Sequence, residues 1–148
     1  MKITIGSDHG AVTLKDEVKM VLREFDDMEI KDVGTYSTDA VDYPDIAKKV
    51  CADVVSGNAD RGILLCGTGI GMTMAANKIK GIRCALCHDV YSARMSREHN
   101  NANVLALGGR VIGFGPAGEI VRAFINGEFA GGRHERRVKK IMALESEK

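Results

Sequence analysis

The sequence predicts an α/β fold: one five-stranded, all-parallel sheet, doubly wound, with helices on both faces. Three observations lead there. Short apolar runs alternate with segments of helical periodicity along the whole chain. The run Gly62-Ile63-Leu64-Leu65-Cys66 is apolar without a break, as a central parallel strand covered on both faces requires. Strand-helix-strand units of this length close through right-handed crossovers, which set helices above and below one sheet.

The elements follow in order. Ile3-Thr4-Ile5 forms the first strand, and Leu14, Val18, Val21, Leu22 and Phe25 recur behind it at helical spacing. Glu29 to Val33 makes a second strand. After a polar loop ending in Tyr43-Pro44, residues Ile46, Ala47, Val50, Cys51, Val54 and Val55 mark a second helix, which Ser56-Gly57-Asn58 stops. The third strand is the apolar run ending at Cys66. Met72 to Ile79 predicts a short helix, Ile82 to Cys87 a fourth strand, Val90 to Arg97 a helix and Val104 to Leu107 a fifth strand. Gly115-Pro116 opens a helix through Ile125, with proline in the first turn where its missing N–H costs nothing. A last, basic helix covers about 131–145.

The 148 residues, 45% hydrophobic and 28% charged, fit one domain over 1–148 that buries roughly two thirds of its unfolded surface. Twenty-one Lys and Arg against twenty Asp and Glu leave a charge of +1, so no global field draws the chain to nucleic acid or an anionic membrane. No apolar run approaches the ~20 residues of a membrane-spanning helix. The N-terminal MKITIGSDHG reads as a strand and polar turn rather than a signal peptide, which predicts a cytoplasmic protein. Its four cysteines, at 51, 66, 84 and 87, are then expected to be reduced. Cys84-Ala85-Leu86-Cys87 matches a redox or metal-binding string, but strand alternation sends positions i and i+3 to opposite faces. Cys51 and Cys84 are therefore expected in the core.

In doubly wound sheets, ligands bind outside the carboxyl ends of the strands. Ser7-Asp8-His9-Gly10, Cys66 with the glycines after it, and Gly108-Gly109-Arg110 follow strands, while His99-Asn100 just precedes the fifth. All are expected to line one crevice. Gly67-x-Gly69 suggests a dinucleotide fingerprint, but the third glycine position is Met72, and although Asp89 follows about twenty residues on, the chain has no room for a separate substrate domain. The same geometry suits an anion hole, in which the N–H groups of Gly67, Thr68, Gly69, Ile70 and Gly71 face a developing oxyanion; a plain tight turn is the alternative. Cys66 stands where a helix N-terminus favours the thiolate and burial opposes it, so nucleophile, base and packing residue all stay open. Arg133 and Arg137, four apart, share one helix face and can chelate one phosphate. Basic residues at a helix start oppose its dipole at about 0.3–1 kcal/mol each, a cost that a bound dianion offsets. A solvated basic patch is the other reading. Arg110 is a third candidate phosphate ligand, and His99, closing a helix in polar surroundings, is either an acid-base group or a cap.

Taken together and in register, Gly6-Ser7-Asp8-His9, Asp42-Tyr43-Pro44, Cys66-Gly67-Thr68-Gly69-x-Gly71, Ala76-Asn77-Lys78, Gly81-Ile82-Arg83, Ser96-Arg97-x-His99-Asn100, Asn103-Val104-Leu105-Ala106 and Gly131-Gly132-Arg133-His134 give the chain a family resemblance. It resembles the B-type ribose-5-phosphate isomerases from about residue 2 to 145. The resemblance implies a Rossmann-like three-layer sandwich, a homodimer or dimer of dimers with active sites at the subunit interface, a small-molecule sugar phosphate as substrate, and neither cofactor nor metal. It implies interconversion of D-ribose 5-phosphate and D-ribulose 5-phosphate through an enediolate. On it, Cys66 is the base between C2 and C1, His99 opens the furanose ring and Thr68 assists near the reacting carbons. The N–H groups of residues 67–71 hold the enediolate oxygen. Asp8, His9, Tyr43 and Asn100 contact the sugar, and Arg110, Arg133, His134 and Arg137 surround the phosphate. Ala11-Val12 and Cys87-His88-Asp89 depart from many relatives. Allose 6-phosphate, galactose 6-phosphate and a tetrulose phosphate therefore stay open as substrates. A non-catalytic binding module is opposed by Cys66, Thr68 and His99.

Overall fold

The computed structural model describes residues 1–146. Its elements are β1 (Lys2–Ser7), α1 (Val12–Leu22), β2 (Glu29–Asp32), α2 (Tyr43–Val55), β3 (Arg61–Cys66), α3 (Ile70–Ala76), β4 (Cys84–Leu86), α4 (Val90–Glu98), β5 (Val104–Gly108), α5 (Phe114–Asn126) and α6 (Arg133–Ala143). The five strands form one sheet in the order β2-β1-β3-β5-β4, and every pairing is parallel.

Alternation along the strands divides the core in two. Ile3, Ile5, Ile63, Leu65, Leu105 and Leu107 pack on one face against residues of α1 and α5 such as Leu14, Val18, Ile120 and Phe124, with Ala93 of α4. Leu64, Cys66, Val104 and Ala106 point the other way and pack with Ile46, Val50 and Cys51 of α2 and Met72 and Ala76 of α3. This is the expected three-layer sandwich. Cys84 joins the second cluster and Cys87 the first, so the C-x-x-C pair does face opposite ways. Burial pushes the Cys51 thiol up to about 11 and Cys84 to about 12, as suits inert packing groups.

Some boundaries differ from expectation. β4 is confined to Cys84–Leu86 because Ile82 N–H closes a turn on the Ile79 carbonyl and Arg83 N–H donates to Asn103 Oδ1. Helix α3 starts two residues early, since Gly69 in the left-handed region caps it at once. It ends three early because Asn77 turns out to bracket Cys84, accepting its N–H at 2.8 Å and donating to its carbonyl at 2.9 Å. Phe25 packs on the core from the turn after α1. The last helix begins at Arg133 and gives way to a 3-10 turn at Leu144–Ser146.

Because every strand runs the same way, every crossover helix runs back. The ends of the strands make a carboxyl edge, and the ends of the crossover helices return to the amino edge. That rule decides where each candidate residue lies.

Candidate active site

The carboxyl edge gathers the first group. Cys66 closes β3 with 5% exposure, and its Sγ accepts the Gly69 N–H at 3.1 Å. A donated N–H stabilises negative charge on the sulfur. Gly69 has φ +78°, and a Cβ there would lie 2.5 Å from Leu86 Cδ1 and 3.1 Å from the Leu107 carbonyl oxygen. Only glycine meets both demands. The Ile70 N–H points at Thr68 Oγ1, 3.3 Å away, so two donors of the expected anion hole are turned onto the loop's own side chains.

Neighbouring segments press close to this loop. Gly109 N–H donates to the Cys66 carbonyl and Arg110 N–H to that of Gly67, at 2.8 and 2.9 Å, which carries Arg110 over the glycines. A Cβ on Gly67 would be 3.5 Å from Arg110 Cδ, and one on Gly108 2.7 Å from the Thr68 carbonyl oxygen. Tyr43, at the start of α2, lays its ring over Gly71, whose Cβ would meet Tyr43 Cζ at 2.7 Å. Asp8 Oδ1 takes the Gly10 N–H at 2.8 Å, and Gly10 lies against Gly67. His9 Nδ1 accepts the Val41 N–H at 3.3 Å, which leaves Nε2 to carry the proton of the neutral ring. Asp8, His9, Tyr43, Cys66, Gly67 to Gly71 and Arg110 thus form one group.

The second group is elsewhere. His99 is the C-cap of α4, five residues before β5, and so lies at the amino edge. With Gly62 beside Val104 and Cys66 beside Gly108, the length of β3, about 16 Å, separates the two edges. The His99 ring stacks on His134, centroids 4.1 Å apart and planes 5° from parallel. Arg133 Nε approaches His134 Nε2 at 3.5 Å, and Arg137 follows one turn on. Partial desolvation, then the charges of His99, Arg133 and Arg137, holds His134 below the ordinary histidine range. Asn100 is exposed beside a cavity of about 580 Å³ between β4 and the end of α6. The expectation of one crevice is corrected for His99-Asn100, which lie at the other edge because α4 runs antiparallel to the strands; His134 of α6, with Arg133 and Arg137 beside it, stacks on His99 there.

Val41 and Leu86 were not legible as site residues. Val41 acts through its main chain, and Leu86 matters only as the wall that Gly69 must clear. Among the described residues no cluster of three or more His, Cys, Asp or Glu side chains is arranged to hold a metal ion, and no helix is long and apolar enough to cross a membrane.

The family model described as Ribose/Galactose Isomerase matches residues 3–141. The chain belongs to this family. Within it, the chain is 46% identical to ribose-5-phosphate isomerase B of Escherichia coli, over 97% of this chain and 96% of that one. It is 45% identical to D-erythrulose-4-phosphate isomerase of Pectobacterium atrosepticum, over 95% and 93%. The solved structure of Clostridium thermocellum ribose-5-phosphate isomerase B superposes with a TM-score of 0.96 at 52% identity, covering 99% of both chains. This ribose/galactose isomerase family member is accordingly an aldose-ketose sugar-phosphate isomerase of the B type.

Proposed function

We propose that the enzyme interconverts D-ribose 5-phosphate and D-ribulose 5-phosphate through an enediolate, in active sites each built from two chains. The observation that carries this reading is the separation of Cys66 from His99 by the length of β3. A substrate of five carbons cannot bridge about 16 Å. In a two-fold dimer, one chain's carboxyl edge faces the other's amino edge twice over, which makes two complete sites.

The steps follow from the groups. His99 passes a proton to the ring oxygen as the C1–O4 bond breaks and C1=O1 forms, and the proton that leaves the C1 hydroxyl restores His99. The Cys66 thiolate takes the proton from C2, electrons move onto O1, and the loop N–H groups of Gly67, Thr68 and Gly71, which are not turned onto the loop's own side chains, hold that oxyanion. The thiol returns its proton to C1 while the O2 proton moves to O1, a transfer for which the Thr68 hydroxyl serves as relay. The ordinary range for a positioned base is ~10²–10⁴-fold and for an oxyanion donor ~10²–10³-fold, so loop and thiol carry comparable shares. Asp8, His9, Tyr43 and Asn100 hold the sugar. Arg110 from one chain and Arg133, His134 and Arg137 from the other hold the phosphate, whose binding energy aligns C1 and C2 with Cys66. Neither cofactor nor metal is needed for these proton transfers. The whole chain acts as one domain, and its reduced core thiols suit the cytoplasm.

A tetrulose phosphate is the second reading, favoured by the 45% identity to an erythrulose-phosphate isomerase. A panel of ribose, allose, galactose and erythrose phosphates, assayed for ketose or aldose formation without added metal or nucleotide, decides between them. Fastest turnover of ribose 5-phosphate supports the proposal. No turnover of any member refutes it.

A further inference from the structure

Three arginines at the amino edge are spent on the main chain. Arg97, the residue before the last of α4, is buried to 8% exposure. Its Nη1 donates to Asn101 Oδ1 at 3.0 Å and to the Ala102 carbonyl, and its Nε to the Gly127 carbonyl at 3.3 Å. Arg61 reaches the same Gly127 carbonyl at 3.3 Å and also bonds the Phe124 and Ile125 carbonyls. Arg83 donates to the Asn101 carbonyl through Nε and Nη2, at 3.0 and 2.9 Å. Burial, and then Arg61 and Arg83, lowers the Arg97 guanidinium to about 10, so it stays charged at neutral pH. Holding Arg97 on carbonyl groups beside two further cations, each of which repels it, is an expensive way to brace a loop, because a buried charge gives up its hydration.

What they brace explains the expense. Asn101 and Ala102 follow directly on His99-Asn100, and Asn101 holds a left-handed conformation at φ +47°. Gly127 ends α5 and starts the connection to Arg133. A Cβ on Gly127 would lie 2.6 Å from Arg97 Cβ and 3.0 Å from Cγ, although its φ of −68° suits any residue. Glycine is there to let the arginine stem pass. A further link runs from Ala130 N–H to the Glu98 carbonyl at 3.0 Å.

We infer that Arg97 is a positioning residue that locks the turn bearing His99 to the connection leading into α6, the helix that carries Arg133 and Arg137, so that ring opening and phosphate capture are set by one guanidinium. The inference rests on the roles proposed above for those three residues. Lysine cannot replace it, because an ammonium on a straight stem lacks the fork that reaches Gly127 and Ala102 together.

The test uses Arg97→Lys, and Gly127→Ala, which keeps the arginine and obstructs its stem. Asn101→Gly keeps the left-handed turn and deletes only one acceptor, as the variant the fold tolerates best. Three quantities are measured beside thermal melting: turnover of ribose 5-phosphate, the inhibition constant of inorganic phosphate, and solvent-deuterium exchange at C1 of ribulose 5-phosphate. The last reads enolisation on an open chain, without ring opening. Small misplacements cost up to ~10²-fold, so Arg97→Lys and Gly127→Ala are expected to lower turnover about tenfold or more and weaken phosphate inhibition about tenfold, with exchange at saturation within about threefold of wild type. Asn101→Gly is expected to lower turnover in the same direction with phosphate inhibition unchanged. Folded variants in which neither turnover nor phosphate inhibition moves, or in which exchange falls in step with turnover, overturn the inference. If His99→Asn fails to separate turnover from exchange, the ring-opening role itself is wrong, while the phosphate constant of Arg97→Lys still reports on the lock.

Discussion

His99 and His134 lie face to face, 4.1 Å between ring centroids and 5° from parallel. Two imidazolium ions stacked this way repel. Partial desolvation, then His99, Arg133 and Arg137, presses His134 down. His134 should titrate below 6.5 by NMR, and His99→Asn should bring its midpoint back up. The sign for stability follows: with the folded value below the unfolded one, the unfolded chain binds the proton first. This contribution is whole above pH 6.5 and is lost as the pH falls through the folded value. A His134 midpoint indifferent to His99 contradicts the pairing.

Lys15, 1% exposed, donates to Asp32 Oδ1 at 2.9 Å and the Thr35 carbonyl at 2.6 Å, 4.5 Å from the Tyr36 ring centroid. It anchors the start of the loop that supplies Val41 and Tyr43. Breaking a buried pair costs about 3–5 kcal/mol, and Lys15→Met falls at the lower end because Lys19 still pairs with Asp32 at 2.8 Å. Urea unfolding measures it; a loss under about 1 kcal/mol contradicts the anchor. For Asp32, burial raises the carboxyl, but the bonds from Lys19 and Lys15 outweigh it and hold it below 3.8. That stabilisation is present above 3.8 and disappears as the pH falls through the folded value, so Asp32→Asn should flatten the acid limb of stability.

Gly69→Ala places a methyl in the left-handed region, at about 1–2 kcal/mol, and against Leu86 and Leu107. Relief requires the Gly69 N–H to move off Cys66 Sγ. The expected result is a kcat lower by ~10²-fold, with KM changed much less. Steady-state kinetics on ribose 5-phosphate check this, and an unaltered kcat removes the loop from the chemistry.

Much of this was legible in the chain. The uninterrupted run 62–66 fixed β3 as central, and the alternation around Cys84 and Cys87 assigned their faces correctly. The short β4 was not legible, since Ile82 and Arg83 look like strand residues until Asn77 and Asn103 are seen to take up the neighbouring main-chain groups. The division of the candidate site follows from topology rather than from sequence proximity: a residue ending a crossover helix belongs to the amino edge, whatever its distance in sequence from the next strand. The role of Arg97 lay beyond pattern, because a buried arginine and an exposed one read alike when the partners are main-chain carbonyls.

The two-chain site is tested most directly by mixing inactive parents. Cys66→Ala and His99→Asn proteins, each expected to be nearly inactive on ribose 5-phosphate, are dissociated and reassociated together. If Cys66 and His99 act across the interface, half the dimers are hybrids with one wild-type site in two, and activity recovers to about a quarter of wild type. Activity no higher than that of the parents contradicts the account, because every site in a hybrid would then still carry one defect.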